Sequence, residues 1–359
     1  LVPSVLALFV ASAAHAGATF DTPQGKLNIG GDVEYDVTAD NFNEGHGADA
    51  TDSQHADGRL LLDINGERVL ANGNFAGFKL NPLWGQQGGN GADDMWFNFG
   101  VKNDWSVKLG HFEAYDLSPA GQDTYVVGYG GDIYRANIAR GRTNDGGQIM
   151  FAKEAGQWHF EVSTQYGSDN GLYNDDEASG WSVDNDTGLN VYTDANVVKN
   201  KDPLVARPVV AWTGDTVTVA VGAEVNLVSD AYVTNDAARE SVSDWTGYGA
   251  AATAKVTDDL SVSLRGAYLN SDEFDMYSVG PGMQYQNFYA AYLFGKEDPA
   301  DNSADTKTHV VYASYKIPAV MGIDNFDMYL GTSWGSQKSS AANAESVEEL
   351  GGRVRFKYF

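Results

Sequence analysis

Residues 26–40 read KLNIGGDVEYDVTAD, and this stretch decides the fold class. Successive side chains of a strand point to opposite faces, so Val33 and Tyr35 share one face while Asp32 and Glu34 share the other. In a soluble sandwich the apolar face packs on a core. In a membrane barrel the same face contacts lipid, and the carboxylates face a water-filled lumen. The remainder of the chain has to separate these two interpretations.

The first sixteen residues, LVPSVLALFVASAAHA, are apolar and end in the small-x-small pattern of a secretory cleavage site. Their apolar core of about ten residues is half the length that a transmembrane helix needs. The sequence therefore predicts a signal peptide at 1–16. A starting Met and a basic segment are missing, so we interpret this peptide as clipped at its start. Residues 17–359 are predicted to form the mature domain.

Composition narrows the class of protein further. Beyond 1–16 no run of eighteen apolar residues occurs, which excludes helical membrane spans but not barrels, whose lipid face uses only alternate residues. Cysteine is absent, so disulfides and thiol chemistry are excluded. The net charge of −26, from 49 acidic and 23 basic residues, argues against a nucleic-acid partner. It favours cations over anions as the solutes that approach the protein.

Alternating apolar and polar residues recur along most of the chain in segments of about ten residues. Sixteen strands are predicted, at 26–38, 57–68, 71–83, 93–101, 104–112, 146–154, 156–167, 203–213, 215–228, 244–257, 259–270, 274–285, 287–295, 306–317, 325–336 and 346–359. Pro208 and Pro281 fall inside two of them, where each removes one ladder donor.

The connections between these strands alternate between short and long, and the longest are polar and lie at 39–56, 113–145 and 168–202. An up-and-down barrel places alternate connections at opposite rims, and outer-membrane barrels combine short turns at one rim with longer loops at the other. A Greek-key sandwich, the alternative, has no reason to sort loop lengths in this way. The sequence therefore predicts an all-β, transmembrane, antiparallel up-and-down barrel of about 16 strands.

The chain ends in RVRFKYF, and an aromatic last residue such as Phe359 is typical of bacterial outer-membrane proteins. Together with the signal, the strand count and the long third loop, this ending resembles the Gram-negative porins over nearly the whole chain. One departure is that Val354, Phe356 and Tyr358 form the apolar face, out of phase with Phe359. Within the porins, GATFDTPQGKLNIGGDVEYD at 17–36 resembles the raffinose-type glycoporins more than the nonspecific osmoporins. The resemblance implies a homotrimer in the bacterial outer membrane.

No catalytic constellation is visible in the sequence. Gly-x-Ser-x-Gly, His-Glu-x-x-His and phosphate-loop patterns are absent, and only six His occur. His46, His55 and His111 lie in or near loops but have no nucleophile context. The stretch 184–188 resembles a calcium loop, but its Gly comes one place early and the closing Glu is missing. We therefore predict no enzyme activity, no metal site and no cofactor.

The third long loop, residues 113–145, is predicted to fold into the barrel and to narrow it, as the corresponding loop does in porins. It is too long to be a simple connector, and its Tyr and Val residues need burial. The predicted constriction combines the loop acids Glu113, Asp116, Asp123 and Asp132 and the loop bases Arg135, Arg140 and Arg142 with the wall residues Arg59, Lys108, Arg265, Arg353 and Arg355. Opposed acids and bases would create a transverse field across the pore. The alternative is that these charges pair with one another near the wall.

A sugar preference would need aromatic rings on which the apolar face of a pyranose can stack while its hydroxyls meet charged groups. The candidates are Trp96, on the polar face of its strand, and the loop residues Tyr115, Tyr125, Tyr129 and Tyr134. The leading hypothesis is passive diffusion of small hydrophilic solutes, in particular sugars, with cations preferred over anions. The alternatives are a general porin without a sugar-binding site and a plugged barrel with a structural or adhesive role.

Overall fold

The structure is a computed structural model of the chain. It describes residues 17–43, 50–118, 133–137, 147–167, 173–174, 180–183, 190–193, 197–235, 237–272, 274–300, 304–341 and 344–359. Among these residues, no helix combines the length and the apolar character needed to cross a membrane.

Sixteen antiparallel strands form a single closed sheet, as the sequence predicts. They are β1 (Gly25–Asn43), β2 (Thr51–Val69), β3 (Asn74–Gly85), β4 (Asn90–Val101), β5 (Trp105–His111), β6 (Gly147–Ala155), β7 (Trp158–Tyr166), β8 (Leu204–Thr213), β9 (Val217–Asn226), β10 (Trp245–Lys255), β11 (Leu260–Ser271), β12 (Phe274–Tyr285), β13 (Phe288–Pro299), β14 (Thr306–Ile317), β15 (Phe326–Ser339) and β16 (Val347–Tyr358). Each strand pairs with its neighbours in the chain, and β16 pairs with β1 from Val33↔Tyr358 to Asn43↔Glu348. The ladder has no open edge where β16 meets β1, which satisfies the backbone groups that lipid cannot.

A few short elements accompany the barrel. The strand Ala18–Thr22 pairs with the beginning of β1, on the side that β16 occupies further along. Other short strands are Tyr173–Asn174, Gly180–Val183, Asn190–Thr193, Val197–Lys199 and Tyr232–Thr234, and a 3-10 helix spans Val320–Gly322.

The opening stretch faces lipid with its apolar side. Val33 keeps 49% of its surface exposed on the outside of the barrel, whereas Glu34, its neighbour, keeps 4% and faces inward. The same alternation runs through the other strands, with Phe97, Phe151 and Val221 among the outward side chains. This distribution is the inverse of a soluble sandwich, because the large apolar residues are exposed and the carboxylates are buried.

Two predicted features of the connections are corrected. The segment 39–56 is mostly strand rather than loop, because β1 and β2 remain paired from Ala39↔Gln54 to Phe42↔Thr51. The connections at 86–89 and between Ser271 and Phe274 are short, although they lie at the same rim as the long loops. The seven connections at the opposite rim are all short, as predicted: 70–73, 102–104, 156–157, 214–216, 256–259, 286–287 and 318–325.

Candidate functional site

One sector of the inner wall carries alternating columns of charge. Carboxylates line β1, at Asp32, Glu34 and Asp36, and cations line the two strands beside it, at Arg59 of β2 and at Arg353, Arg355 and Lys357 of β16. We call these seven residues the charged wall. The alternation follows from the ladder, because residues that face the lumen on neighbouring strands lie directly opposite one another.

The charged wall is closely paired. Arg59 Nε lies 2.8 Å from Glu34 Oε2, and Arg355 donates to both carboxylate oxygens of Asp36 at 2.7 and 2.6 Å. Lys357 also contacts Glu34, and Arg355 Nη1 lies 3.5 Å from the same carboxylate. Glu34 therefore receives three cations. On this sector the charges meet their partners on adjacent strands, so the field runs along the wall between the columns.

The third loop, residues 112–146 between β5 and β6, enters the barrel at its beginning. The backbone N–H of Phe112 donates to Gln148 Oε1 at 3.2 Å, and that of Tyr115 donates to Glu161 Oε1 at 2.8 Å. Leu117 is buried against Val209, Ala211 and Ala220 of β8 and β9. The described parts of the loop thus lie inside the barrel, which confirms the inward fold for residues 112–118 and 133–137.

Four glycines make room for the returning part of this loop. A Cβ added at Gly249 would lie 2.7 Å from the Ala136 Cβ, and one at Gly222 would lie 2.6 Å from Asn137 Oδ1. One at Gly295 would lie 2.9 Å from Ile133 Cγ1, and one at Gly247 would overlap the Tyr134 hydroxyl. We call Gly222, Gly247, Gly249 and Gly295 the glycine seat. Residues 133–137 lie against it so closely that a side chain at any of the four positions would displace them.

Tyr134 is the deepest part of this contact. It is 1% exposed, packs among Trp245, Leu269 and Met276, and donates its hydroxyl to Glu224 Oε2 at 2.9 Å. Burial and the neighbouring Glu224 carboxylate raise the Tyr134 pKa well above its usual value. Neither face of this ring is open to a solute. Tyr134 is therefore an anchor of the loop, which argues against its prediction as a sugar platform.

Arg135 and Asp116 of the loop face Arg265 of β11. The Arg265 guanidinium donates to the hydroxyl of Tyr312 on β14 and lies 6.0 Å from the centre of that ring. Burial lowers the Arg135 pKa, and the Arg265 charge lowers it further, while Tyr312 and Asp116 act in the opposite direction. Burial also raises the Asp116 pKa, against the effect of its hydrogen bond from the Ser118 backbone and of both guanidinium groups. These three predicted constriction residues therefore form one electrostatic group.

Two of the predicted aromatic platforms face the lumen and are partly exposed. Lys108 Nζ lies 5.0 Å from the Trp96 ring centre and 5.1 Å from that of Phe112. Tyr115 stacks on His159 with 5.4 Å between ring centres, and its pKa is raised to about 12 by burial and the Glu161 charge. Trp96 and Lys108 thus lie on β4 and β5 at the entrance of the loop into the barrel. Tyr115 packs with Leu117 and Ala251, close to the glycine seat.

Several predicted residues lie outside the described part of the chain: Asp123, Asp132, Arg140, Arg142, Tyr125 and Tyr129. Glu113 is described and exposed. The transverse field between loop and wall stays a prediction, because four of its seven predicted loop charges belong to this group. Among the described residues, no group of three or more His, Asp or Glu is arranged to hold a metal ion.

Sequence reasoning did not identify the partners that hold the loop. Glu161 and Glu224 lie on the polar faces of their strands, but nothing in the sequence matched them, or Gln148, to loop atoms. The glycine seat could not be predicted from the sequence either, because glycine occurs in strands for several different structural reasons. These contacts join residues more than thirty positions apart, which only the closed barrel brings together.

The chain was compared with known proteins. A protein-family model described as "Porin-like glycoporin RafY" matches residues 29–359. The chain belongs to this porin family. No curated protein matches it significantly.

Similar solved structures are outer-membrane proteins of bacteria. The outer-membrane channel DcaP of Acinetobacter baumannii has 14% identity and a TM-score of 0.61, covering 95% of this chain and 100% of that one. In-vitro folded OmpT of Vibrio cholerae has 13% identity and a TM-score of 0.56, with 95% and 99% covered. At these identities the likeness supports the fold alone. Together with the family, it identifies a porin of the bacterial outer membrane.

Proposed function

We propose that this porin conducts small hydrophilic solutes, with sugars as its main organic cargo and cations preferred over anions. The observation that carries the sugar preference is the pair of partly exposed rings, Trp96 and Tyr115, at the mouth of the third loop. Charged groups flank them, Lys108 beside Trp96 and Glu161 beside Tyr115. An apolar sugar face can stack on a ring while its hydroxyls bond to such groups.

A general porin without a sugar site is the second candidate, and one observation favours it. The Lys108 ammonium already lies over the Trp96 ring, so a sugar would have to use the opposite face or displace the cation. A plugged, adhesive barrel is the third candidate. A steady potassium chloride current through single channels in a planar bilayer would exclude the plug.

Current block by oligosaccharides separates the first two candidates. We expect added raffinose or maltotriose to interrupt the current, and Trp96→Ala and Tyr115→Ala each to weaken that block about fivefold, since stacking of this kind contributes about 1 kcal/mol. Trp158→Ala is the matched control, because this ring is exposed on the lipid side. The sugar proposal is wrong if oligosaccharides do not block the current of the wild-type protein. It is also wrong if they block the Trp96→Ala and Tyr115→Ala channels as strongly as the Trp158→Ala control.

Cation preference rests on the acidic composition of the chain rather than on the charged wall, whose charges are largely paired. The predicted loop 168–202 holds many of the acids. Cations would concentrate near such a loop over a distance of about 10 Å at 0.1 M salt. The reversal potential in a potassium chloride gradient measures this preference, and an anion-selective sign would contradict it.

Export and assembly complete the proposal. We propose that residues 1–16 are removed, which N-terminal sequencing would show as a mature chain starting at Gly17. We also propose a homotrimer, which rests on the family. The mass of the unheated, detergent-solubilised complex tests it.

A further inference from the structure

A proline interrupts the ladder between β8 and β9. Leu227 N–H donates to Leu204 O at 2.8 Å and Gly214 N–H donates to Val217 O at 2.8 Å, so even-numbered residues of β8 bond toward β9. Pro208 is therefore the residue that would donate to Ala223 O. It has no N–H. The register accordingly omits Arg207 and Pro208 and resumes at Val209↔Gly222.

The third loop supplies the missing donor. Asn137 Nδ2 donates to Ala223 O at 3.2 Å, which gives that carbonyl a partner in place of the proline. Asn137 is 1% exposed and has a left-handed φ of 50°, a conformation that Asn tolerates better than most residues. Its own carbonyl accepts the Leu117 N–H at 3.0 Å. Asn137 thus joins the entering part of the loop, the returning part and the barrel wall.

The residues around the gap are arranged for this contact. Gly222 has no Cβ, and a Cβ there would collide with the Asn137 amide. Arg207 and Glu224 bridge β8 and β9 at the omitted register, with Nε and Oε1 2.8 Å apart and both side chains buried. The other oxygen of Glu224 accepts from the Tyr134 hydroxyl at 2.9 Å. The same break in the ladder therefore receives two side chains of the loop.

The same chemistry occurs at a second strand proline. Gln86 N–H donates to Gly58 O at 2.7 Å, so Pro82 of β3 would be the donor to Leu62 O by the same parity. Asn81 Nδ2 lies 3.4 Å from Leu62 O and replaces that donor. There the amide comes from the strand itself. At Pro208 it comes from the third loop, which makes the gap a docking point.

We propose that Pro208 and Asn137 together position the third loop and so set the width of the pore. Pro208 leaves Ala223 O without a backbone donor, and this carbonyl holds the loop by accepting from Asn137 instead. We call this pair the clasp. A carbonyl buried without a donor costs free energy, and the loop amide removes that cost only when the loop is docked. Asn137 is in this sense a positioning residue. The clasp does not depend on whether the solute is a sugar.

The test is a double-mutant cycle on the full-length protein in planar bilayers. Asn137→Gly removes the amide while keeping a residue that adopts positive φ freely. Pro208→Ala restores the backbone donor, so Ala223 O no longer needs the loop. We expect Asn137→Gly alone to raise the fraction of time that the channel spends outside its main conductance level about fivefold. This factor corresponds to the loss of one ordinary hydrogen bond. In the Pro208→Ala background the same change should be less than twofold.

The second measurement is the size of the largest polyethylene glycol that enters the pore. A residue that only stabilised the fold would not change this size limit. The Asn137→Gly pore should admit larger polymers than wild type, and Asn137→Asp, which keeps the shape but places an oxygen against the carbonyl, should do the same. Pro281→Ala is the matched control, because it restores a donor in β12 and its effect should add to that of Asn137→Gly. Additive effects of Pro208→Ala and Asn137→Gly, or an unchanged polymer cut-off, would overturn the clasp.

Discussion

Single glycines decide where the third loop lies. The four positions of the glycine seat belong to β9, β10 and β13, and at each of them the space of a Cβ is taken by a loop atom. Apolar packing contributes to this position as well, because Ile133, Tyr134 and Ala136 lie in buried clusters with wall side chains. The glycine seat thus provides the space for the loop, and polar contacts such as that of Asn137 fix it there.

Gly247→Ala should therefore loosen the loop. The added methyl group would overlap the Tyr134 hydroxyl and displace it from Glu224, at a cost of about 1–3 kcal/mol for overpacking. We expect a noisier single-channel current together with an intact barrel on unheated gels.

Gly352→Ala is the control for this substitution. The nearest atom to its added Cβ would be Gly331 O at 3.7 Å, an ordinary contact on the outer side of β16. A quiet current in Gly247→Ala, indistinguishable from that of Gly352→Ala, would show that Tyr134 does not hold the loop.

At the scale of elements, β1 acts as an acidic column between two basic ones. Glu34 is the centre of this arrangement, because it contacts Arg59, Arg355 and Lys357. The three strands form one nearly neutral surface only as long as this carboxylate is present. The charged wall has four cations and three carboxylates, so removing the Glu34 charge would raise its net charge from +1 to +2.

Glu34→Gln should shift the channel toward anions. A unit charge about 4 Å from a passing ion in water changes its energy by about 1 kcal/mol, in opposite directions for cations and anions. The ratio of cation to anion permeability should therefore fall at least about fivefold. The reversal potential in a salt gradient measures this ratio. Asp258→Asn, at an exposed turn where the carboxylate pairs with Lys255, should change it little. Equal ratios in Glu34→Gln and Asp258→Asn would contradict the role given to the column.

The strands were predictable and one loop was not, for the same physical reason. Alternation marks a strand only where one face contacts lipid, and this holds for the spanning parts of all sixteen strands. Apart from Phe42, residues 39–43 and 51–56 are polar or exposed on both faces, yet their backbone ladder continues. The alternation of apolar and polar residues stops where the strands leave the lipid, whereas the backbone hydrogen bonds between them continue beyond that point. The sequence therefore predicts a loop where the structure has a hairpin.

The candidate site was predictable only in part. Strand parity placed Arg59, Lys108, Arg265, Arg353 and Arg355 on the inner face correctly, because facing follows from a period of two. It did not show that Arg59 and Arg355 share Glu34, or that Tyr134 is buried. Those facts depend on which strands become neighbours of the loop, and the loop reaches strands that lie more than eighty residues later in the chain.

The inner surface of the barrel has two parts, one on which the third loop packs and one that carries the charged wall. From β8 to β14 the inner wall carries many glycine, alanine and apolar side chains, and the third loop packs on this half. Its buried charged residues are Arg207, Glu224 and Arg265, and its buried neutral polar residues include Asn226, Ser278 and Thr308. The charged wall lies on β16, β1 and β2, away from the described loop residues. We therefore expect the aqueous path to run between the described loop residues and the charged wall.

Cross-linking the loop to its seat tests this arrangement most directly. The native chain has no cysteine, so a pair introduced at Ile133 and Gly295 would be unique, and the Cβ of residue 295 would lie 3.2 Å from that of residue 133. This is slightly less than the roughly 3.5–4.5 Å between the Cβ atoms of a disulfide. Because Ile133→Cys also removes the branched Ile133 side chain that a Cβ at residue 295 would meet, a small shift is enough for the bond to form. On oxidation of Ile133→Cys/Gly295→Cys, we predict a complete cross-link and a single-channel current equal to that of the reduced protein. Failure to cross-link, or a current that falls when the bond forms, would contradict a loop that is docked in the open channel.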